Sequence, residues 1–422
     1  MKDLIIKNSR VIDPSQNMDF LADVYIKDGI IMQIGGEMPE CDNIIDAEGL
    51  ISAPGLVDMH VHLRDPGQTQ KEDIITGCNA AAAGGVTSLL AMPNTVPTTD
   101  NEETVNYILD KAKTAKSKVY VAASITKGLK SKEASDLKAL KYAGAIALSD
   151  DGRPVENTAM LRNAMKFASE NKMTVVAHCE DLFLADKGKI NEGEVSKQLD
   201  IAGIPAAAED CGTAREIALA AADNVPIHIC HVSTKTSVAL VRDAKRRGVK
   251  VTAETAPHYF TFTEQELLKK DADFRMNPPL RTEEDRQAII EGLQDGTLDA
   301  IATDHAPHTT EEKADFVSAP NGSIGMETSL SAGITNLVAT NKLTINQLIE
   351  KMSTNPARIL KICGGTLKIG APADIVIFDI NEKWTVDVNK LHGKSKNTPF
   401  KNITLQGKVK YTIKDGDIVF KN

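Results

Sequence analysis

Hydrophobic positions fall into two patterns along this chain. Between residues 56 and 303, short apolar runs of strand length alternate with longer segments whose apolar positions recur every three to four residues. The runs lie at 56–62, 86–92, 118–124, 144–149, 173–178, 226–231, 249–254 and 298–303. The amphipathic segments include 72–84, 101–116, 156–170, 209–222 and 234–247. Continuous apolar strands interleaved with helices read as parallel strands covered on both faces. Eight such units predict an α/β fold, a (β/α)8 barrel of about 250 residues.

Toward both ends the helical period disappears. Leu4-Ile5-Ile6, Val11-Ile12-Asp13, Asp23 to Ile26 and Ile30 to Ile34 read as strands, with a hairpin turn at Lys27-Asp28-Gly29. Ala373 to Phe378, Val409 to Ile413 and Ile418 to Phe420 repeat that pattern near the other end. Neither end has enough apolar faces to fold alone. The expected organisation is a small β-sandwich domain shared by residues 1–52 and 364–422, with a catalytic barrel over 53–363.

Composition narrows the function. With 422 residues, a net charge of −9 and no basic stripe, the chain lacks a nucleic-acid footprint; Lys245-Arg246-Arg247 reads as a solvated helix end. The six cysteines form no CxxC pair, which suits reduced thiols in the cytoplasm. The segment opening at Met1 is too short and too charged for a secretory leader, and no run is long enough to predict a membrane span.

The chemistry collects where strands end. In a barrel of this kind the active site forms at the carboxyl ends of the strands. The first run ends in His60, His62 and Arg64, the second in Met92-Pro93-Asn94, and the fourth in Ser149-Asp150-Asp151-Gly152. The fifth ends in His178-Cys179-Glu180, the sixth in His231-Val232-Ser233, and the eighth in Asp304 to His308. Five of eight strands thus bring His or Asp to one rim. His60 and His62 share a face of their strand, about 7 Å apart. Four histidines and two aspartates suit two zinc-like ions, which can lower the pKa of a water and polarise a carbonyl. A carboxylate beside them, Asp304, is placed to carry the proton.

These motifs, with Glu254-Thr255-Ala256-Pro257-His258 and Asn277-Pro278-Pro279-Leu280-Arg281, resemble the bacterial type I dihydroorotase pattern of the amidohydrolase superfamily. The resemblance runs through nearly the whole chain. It implies a zinc-dependent enzyme with one or two Zn2+ ions, two favoured, that interconverts N-carbamoyl-L-aspartate and (S)-dihydroorotate in pyrimidine synthesis. It assigns His60, His62 and Asp304 to one metal and His178 and His231 to the other. Many relatives bridge the ions with a carboxylated lysine; here Asp151 stands at that place, with Asp150 the competing residue. It further implies that Arg64, Asn94 and His308 grip the substrate carboxylate, with Asn277 and the backbone of Asn321-Gly322 on the ring and His62-Leu63 lining the same site. Thr309 to Ser318 reads as a lid. Family habit adds a homodimer and an association with aspartate transcarbamoylase. His228 is expected to face away from His231 as a packed histidine, and His392 to be solvated. The alternatives are a hydantoinase, dihydropyrimidinase or allantoinase acting on another ring, and a non-catalytic homologue serving as a scaffold.

Overall fold

Strands from both ends of the chain hydrogen-bond into one mixed sheet. In the structure, a computed structural model that describes residues 3–422, these are β1 (Leu4–Asp13), β2 (Met18–Lys27), β3 (Ile30–Ile34), β4 (Ile44–Asp46) and β5 (Ile51–Pro54). Met1 and Lys2, where the first expected segment opens, lie outside the described residues. β16 (Ile375–Thr385), β17 (Thr404–Lys414) and β18 (Asp417–Lys421) complete the sheet in the order β18-β17-β16-β5-β1-β2-β3, with β4 on β1. The sheet folds over on itself. Ala373 N–H donates to Gly29 O and Gly416 N–H to Ala373 O, which brings the two hairpin turns together. Leu4, Ile6, Val24, Ile31, Ile375 and Ile413 share the core so enclosed. Where two short strands are expected over residues 4–13 there is one, bulged between Ile6 and Ser9, with Asn8 in the left-handed region.

The chain enters the barrel at Gly55. A Cβ there would lie 2.3 Å from the Thr87 hydroxyl, so only glycine lets the backbone pass. The barrel strands are β6 (Leu56–Val61), β7 (Val86–Ala91), β8 (Lys118–Ala123), β9 (Ala147–Leu148), β10 (Thr174–Ala177), β13 (Ile227–Ile229), β14 (Val251–Thr255) and β15 (Ala300–Ile301). Each falls within or one residue beyond an expected run, and every neighbouring pair is parallel. The ring closes just past β6 and β15, where His62 N–H donates to His305 O (2.8 Å). Helices pack outside against Leu89, Val121, Val175 and Ile229, and Val57, Leu90, Val176 and Ala300 fill the interior above Leu360.

Local signals start the helices where the pattern places them. Asp73, Asn101, Asn157, Thr234 and Thr282 each accept a backbone N–H at a helix N-terminus, worth about 1 kcal/mol apiece. Beyond β10 the chain adds a small excursion in which β11 (Ile190–Asn191) pairs with β12 (Gly203–Ile204) around the helix Glu194–Leu199. Two-residue strands leave no periodicity to read.

Candidate metal centre and substrate mouth

Three of the rim residues leave their strands through left-handed backbone: Arg64 (φ 60°), His231 (φ 34°) and Asp304 (φ 48°). Such conformations cost about 1–3 kcal/mol each and persist where the surrounding fold imposes them. Here they follow β6, β13 and β15 and turn the chain across the barrel mouth.

The donors converge. His60 Nε2 lies 3.2 Å from Asp151 Oδ1 and 3.6 Å from Asp304 Oδ1. His62 Nε2 lies 3.1 Å from Asp304 Oδ1 and 3.5 Å from Asp151 Oδ2. On the other side, His178 Nδ1 and His231 Nε2 are 3.0 Å apart, and each is 3.5 Å from Asp151 Oδ1. Asp151 therefore belongs to two donor groups, one with His60 and His62 and one with His178 and His231. Metal–nitrogen bonds of about 2.0–2.1 Å in a tetrahedron put donors roughly 3.3–3.4 Å apart, and the observed separations bracket that value. His60 Nε2 and Asp151 Oδ1 are buried with no hydrogen-bond partner. A buried imidazole nitrogen and a buried carboxylate oxygen that face one another with no hydrogen-bond partner fit a cation between them. Burial works against a charged Asp151, but His60, His178 and His231 hold its carboxyl well below the usual range. Asp304 behaves alike: burial opposes its ionisation, and His62, His60 and His231 bring it down to about 2.

Three of the four imidazoles are held from behind. Glu254 Oε1 lies 3.3 Å from His60 Nδ1, Asn94 Oδ1 accepts from His62 Nδ1 (2.8 Å), and Glu180 Oε2 accepts from His178 Nε2 (3.1 Å). Such partners fix ring orientation and leave the opposite nitrogen free for a metal. His228 corrects the alternation argument. Cys230, two residues on, lies in the interior cluster, and His228 itself points inward, with Nε2 3.2 Å from Glu254 Oε2. The kink at His231 rotates the chain, so histidines three apart both face the axis. Asp150, the competing aspartate, spends its carboxylate on Ser124, Ile125 and Thr126. Lys141, the lysine that precedes β9 in the helix Leu137–Ala143, pairs with Asn171 and takes no part in the site.

Beside the donors is a cation with no counter-ion. Arg64 is buried, and its Nε donates to Pro307 O (3.2 Å) while no carboxylate pairs with it among the described residues. Burial lowers its pKa to about 10, so it stays charged at neutral pH. Among the described residues the Asn94 amide nitrogen has no hydrogen-bond partner. Asn277 donates to Glu180 (3.3 Å) and leaves Oδ1 buried and unpartnered. His308 Nε2 donates to Asn321 O (3.0 Å). Gly322 has φ 140°, and a Cβ there would lie 3.0 Å from His308 Nε2. Its N–H donates to Arg275 O, and its carbonyl accepts from Lys313 and Asn397. The Leu63 side chain turns away into the core against the helix Ile74–Ala83. His258 is buried near Asp304 and His231; burial pushes it down to about 4, and its Nε2 has no partner. His392 is exposed, as expected, and also pairs with Glu327 (2.8 Å).

Asn397 carries no signal in the sequence. It lies on a strap between β16 and β17 that crosses the barrel mouth, accepts from His308 N–H (3.0 Å) and donates to the Ala306 and Gly322 carbonyls. Only the tertiary fold brings it there.

An (β/α)8 barrel with paired His/Asp donor groups at its carboxyl rim, joined to a sheet from both termini, is the architecture of the metal-dependent amidohydrolases. Among solved structures the chain matches L-hydantoinase (dihydropyrimidinase) from Arthrobacter aurescens with a TM-score of 0.90 at 25% identity, covering 100% of this chain and 96% of that one. It matches dihydropyrimidinase from Brevibacillus agri with a TM-score of 0.87, also at 25% identity, covering 100% and 95%. A family model described as dihydro-orotase-like matches residues 49–237. Curated relatives named dihydroorotase are 50% identical in Acetivibrio thermocellus and 49% identical in Geobacter metallireducens, each over 99% of both chains. The chain belongs to the dihydroorotase family. Among the described residues no helix is long and apolar enough to cross a membrane.

Proposed function

We propose that this protein is a dihydroorotase that interconverts N-carbamoyl-L-aspartate and (S)-dihydroorotate in pyrimidine synthesis. The observation that carries the substrate is Arg64, a buried guanidinium beside the donor groups that lacks a carboxylate of its own. A planar fork of donors is matched by a substrate carboxylate, with Asn94 on the same anion, while the neutral His308 gives its one N–H to Asn321 O. The unpartnered Oδ1 of Asn277 supplies an acceptor for a ring N–H. The free cysteines suit a reducing compartment such as the cytoplasm.

His60, His62 and Asp304 would hold one divalent ion and His178 and His231 a second, with Asp151 between them; zinc suits this nitrogen and oxygen set. Bound there, the ions supply Lewis acidity toward a water and the ring carbonyl. The chain's own residues do the rest. Arg64 anchors the substrate, Asn277 orients the ring, and Asp304 accepts the proton of the attacking water. As the ring C–N bond breaks, Asp304 returns that proton to the departing nitrogen, and cyclisation runs the same steps backward.

The test is ring opening of (S)-dihydroorotate by purified protein of known metal content, with hydantoin, dihydrouracil and allantoin in parallel. Selective turnover of dihydroorotate, lost on chelation and restored by Zn2+, is expected. Turnover of a neutral ring instead would replace this reading with a hydantoinase-like one, which the structural neighbours make the rival.

A further inference from the structure

Lys313 lies between His308 and the Asn321-Gly322 backbone, in a segment that is otherwise largely exposed. Its side chain turns inward and is buried, while Glu311, Ala314 and Asp315 face solvent. Its Nζ donates to the carbonyls of Arg275 (3.3 Å), Pro320 (3.0 Å) and Gly322 (3.0 Å). An ammonium has three N–H bonds, and all three are used. No carboxylate pairs with it among the described residues. Burying a cation without a counter-ion is costly, and a neutral glutamine has only two donors with which to tie three carbonyls.

Those three bonds bear on the substrate mouth. Gly322 N–H and Lys313 Nζ both donate to Arg275 O, so the 275 segment and the 320–322 loop are stitched at one point. Arg275 adds bonds from its guanidinium to Phe316 O, Val317 O and Asn321 Oδ1. The loop in turn sets His308, through Asn321 O on one side and the Cβ-free face of Gly322 on the other. The charge reaches the same place: after burial, the cations Arg64, Lys71 and Lys313 are what hold the His308 imidazole down at about 3.

We propose that Lys313 is a positioning residue for the substrate, fixing the 320–322 backbone and His308 against the ring and adding positive charge behind the carboxylate grip. This rests on the dihydroorotate reading of the same mouth. It makes affinity for the acidic substrate depend on an ammonium that never touches it. The groups facing Lys313 are Asp271, Asp273, Arg275, Glu312 and His308. Burial dominates among its influences and lowers its pKa to about 8. Asp273, raised to about 6 by burial, stays ionised above that. Below about pH 8 the ammonium keeps three donors and its charge, so KM sits at its minimum. Above it the neutral amine keeps two donors and no charge, so KM rises.

The test measures kcat and KM for (S)-dihydroorotate with the metal-loaded enzyme between about pH 6.5 and 9.5, in wild type, Lys313→Met and Lys313→Arg. It adds hydrogen–deuterium exchange of the 319–325 amides without substrate. The expected result is a wild-type KM that climbs above about pH 8. Lys313→Met should give a KM raised about tenfold and flat across the range, with kcat within about threefold and faster exchange at 319–325. Lys313→Arg should restore a low KM and move the climb to higher pH, because a guanidinium stays charged. A Lys313→Met enzyme that keeps the wild-type KM and its alkaline climb overturns the proposal. If that variant does not fold, the Lys313→Arg profile decides: a climb that has not moved overturns it. Exchange reads the loop without catalysis. Failure to open dihydroorotate would therefore strike the proposed function, and unchanged exchange in Lys313→Met would strike Lys313.

Discussion

The two sides of the barrel mouth are built by different means. On the donor side the facing imidazoles stand at the ends of barrel strands, and three of them are backed by another side chain: Glu254 behind His60, Asn94 behind His62, Glu180 behind His178. On the substrate side the bonds run mostly from side chains to backbone: Lys313 to three carbonyls, Asn397 to the 306, 308 and 322 backbone, and Arg275 to the 316 and 317 carbonyls. A strand end fixes a side chain through a ladder that the whole barrel shares. A loop has no ladder, so its shape depends on whatever donors reach its carbonyls. The donor side should therefore be hard to perturb except at its own residues, and the substrate side sensitive to residues that never touch a ligand.

The largest effect tests the donor side at its chemical centre. Asp304→Asn keeps the size of the side chain but removes the base and turns one of its two acceptors into a donor. Loss of a positioned acid/base group costs roughly 10²–10⁴-fold in rate, so kcat should fall by that factor while the melting temperature stays near wild type. Substantial residual turnover would remove Asp304 from the proton path. Next is the support behind His60. Glu254→Gln should lower metal affinity by about 10–100-fold, the usual cost of losing a partner behind a ligating imidazole. Competition with a chelator measures it, and unchanged metal retention would make Glu254 a packing residue only. Arg64→Met crosses to the other side. A charged hydrogen bond is worth about 1.5–3 kcal/mol, so KM for dihydroorotate should rise roughly 10–150-fold with metal content unchanged. An unaltered KM would mean that the carboxylate lies elsewhere.

The contrast between the two sides also governs what could be read beforehand. The barrel was legible because eight apolar runs and their helices repeat with a clear period. The donors were legible because His60, His62, His178, His231 and Asp304 all follow such runs. His228 shows the limit of that logic: strict alternation turns it away from the axis, but the φ 34° kink at His231 breaks the alternation just where the strand ends. Leu63 shows another, since proximity in sequence to His62 and Arg64 says nothing of a side chain that packs outward. Asn397 and Lys313 were illegible for a stronger reason. Their partners are backbone groups, which every residue has, and the strap that carries Asn397 is set at the mouth by the sheet that both chain ends share.

Asn397 gives the smallest and sharpest test of the contrast. Its side chain makes three bonds to backbone, at His308 N–H, Ala306 O and Gly322 O. Asn397→Ala opens space beside these buried groups in which a water can replace part of what is lost. A net cost near 1 kcal/mol corresponds to about a fivefold change in an equilibrium constant. KM for dihydroorotate should therefore rise several-fold, kcat should fall less, and metal content should not change. If metal content falls together with affinity, the strap also supports the donor groups and the two sides are one cooperative unit. If only KM moves, a residue from the terminal sheet's own connection tunes substrate affinity while the barrel keeps the metal. The two parts of the chain would then divide the work: strand ends hold the ions, and the strap and loop shape the space above them.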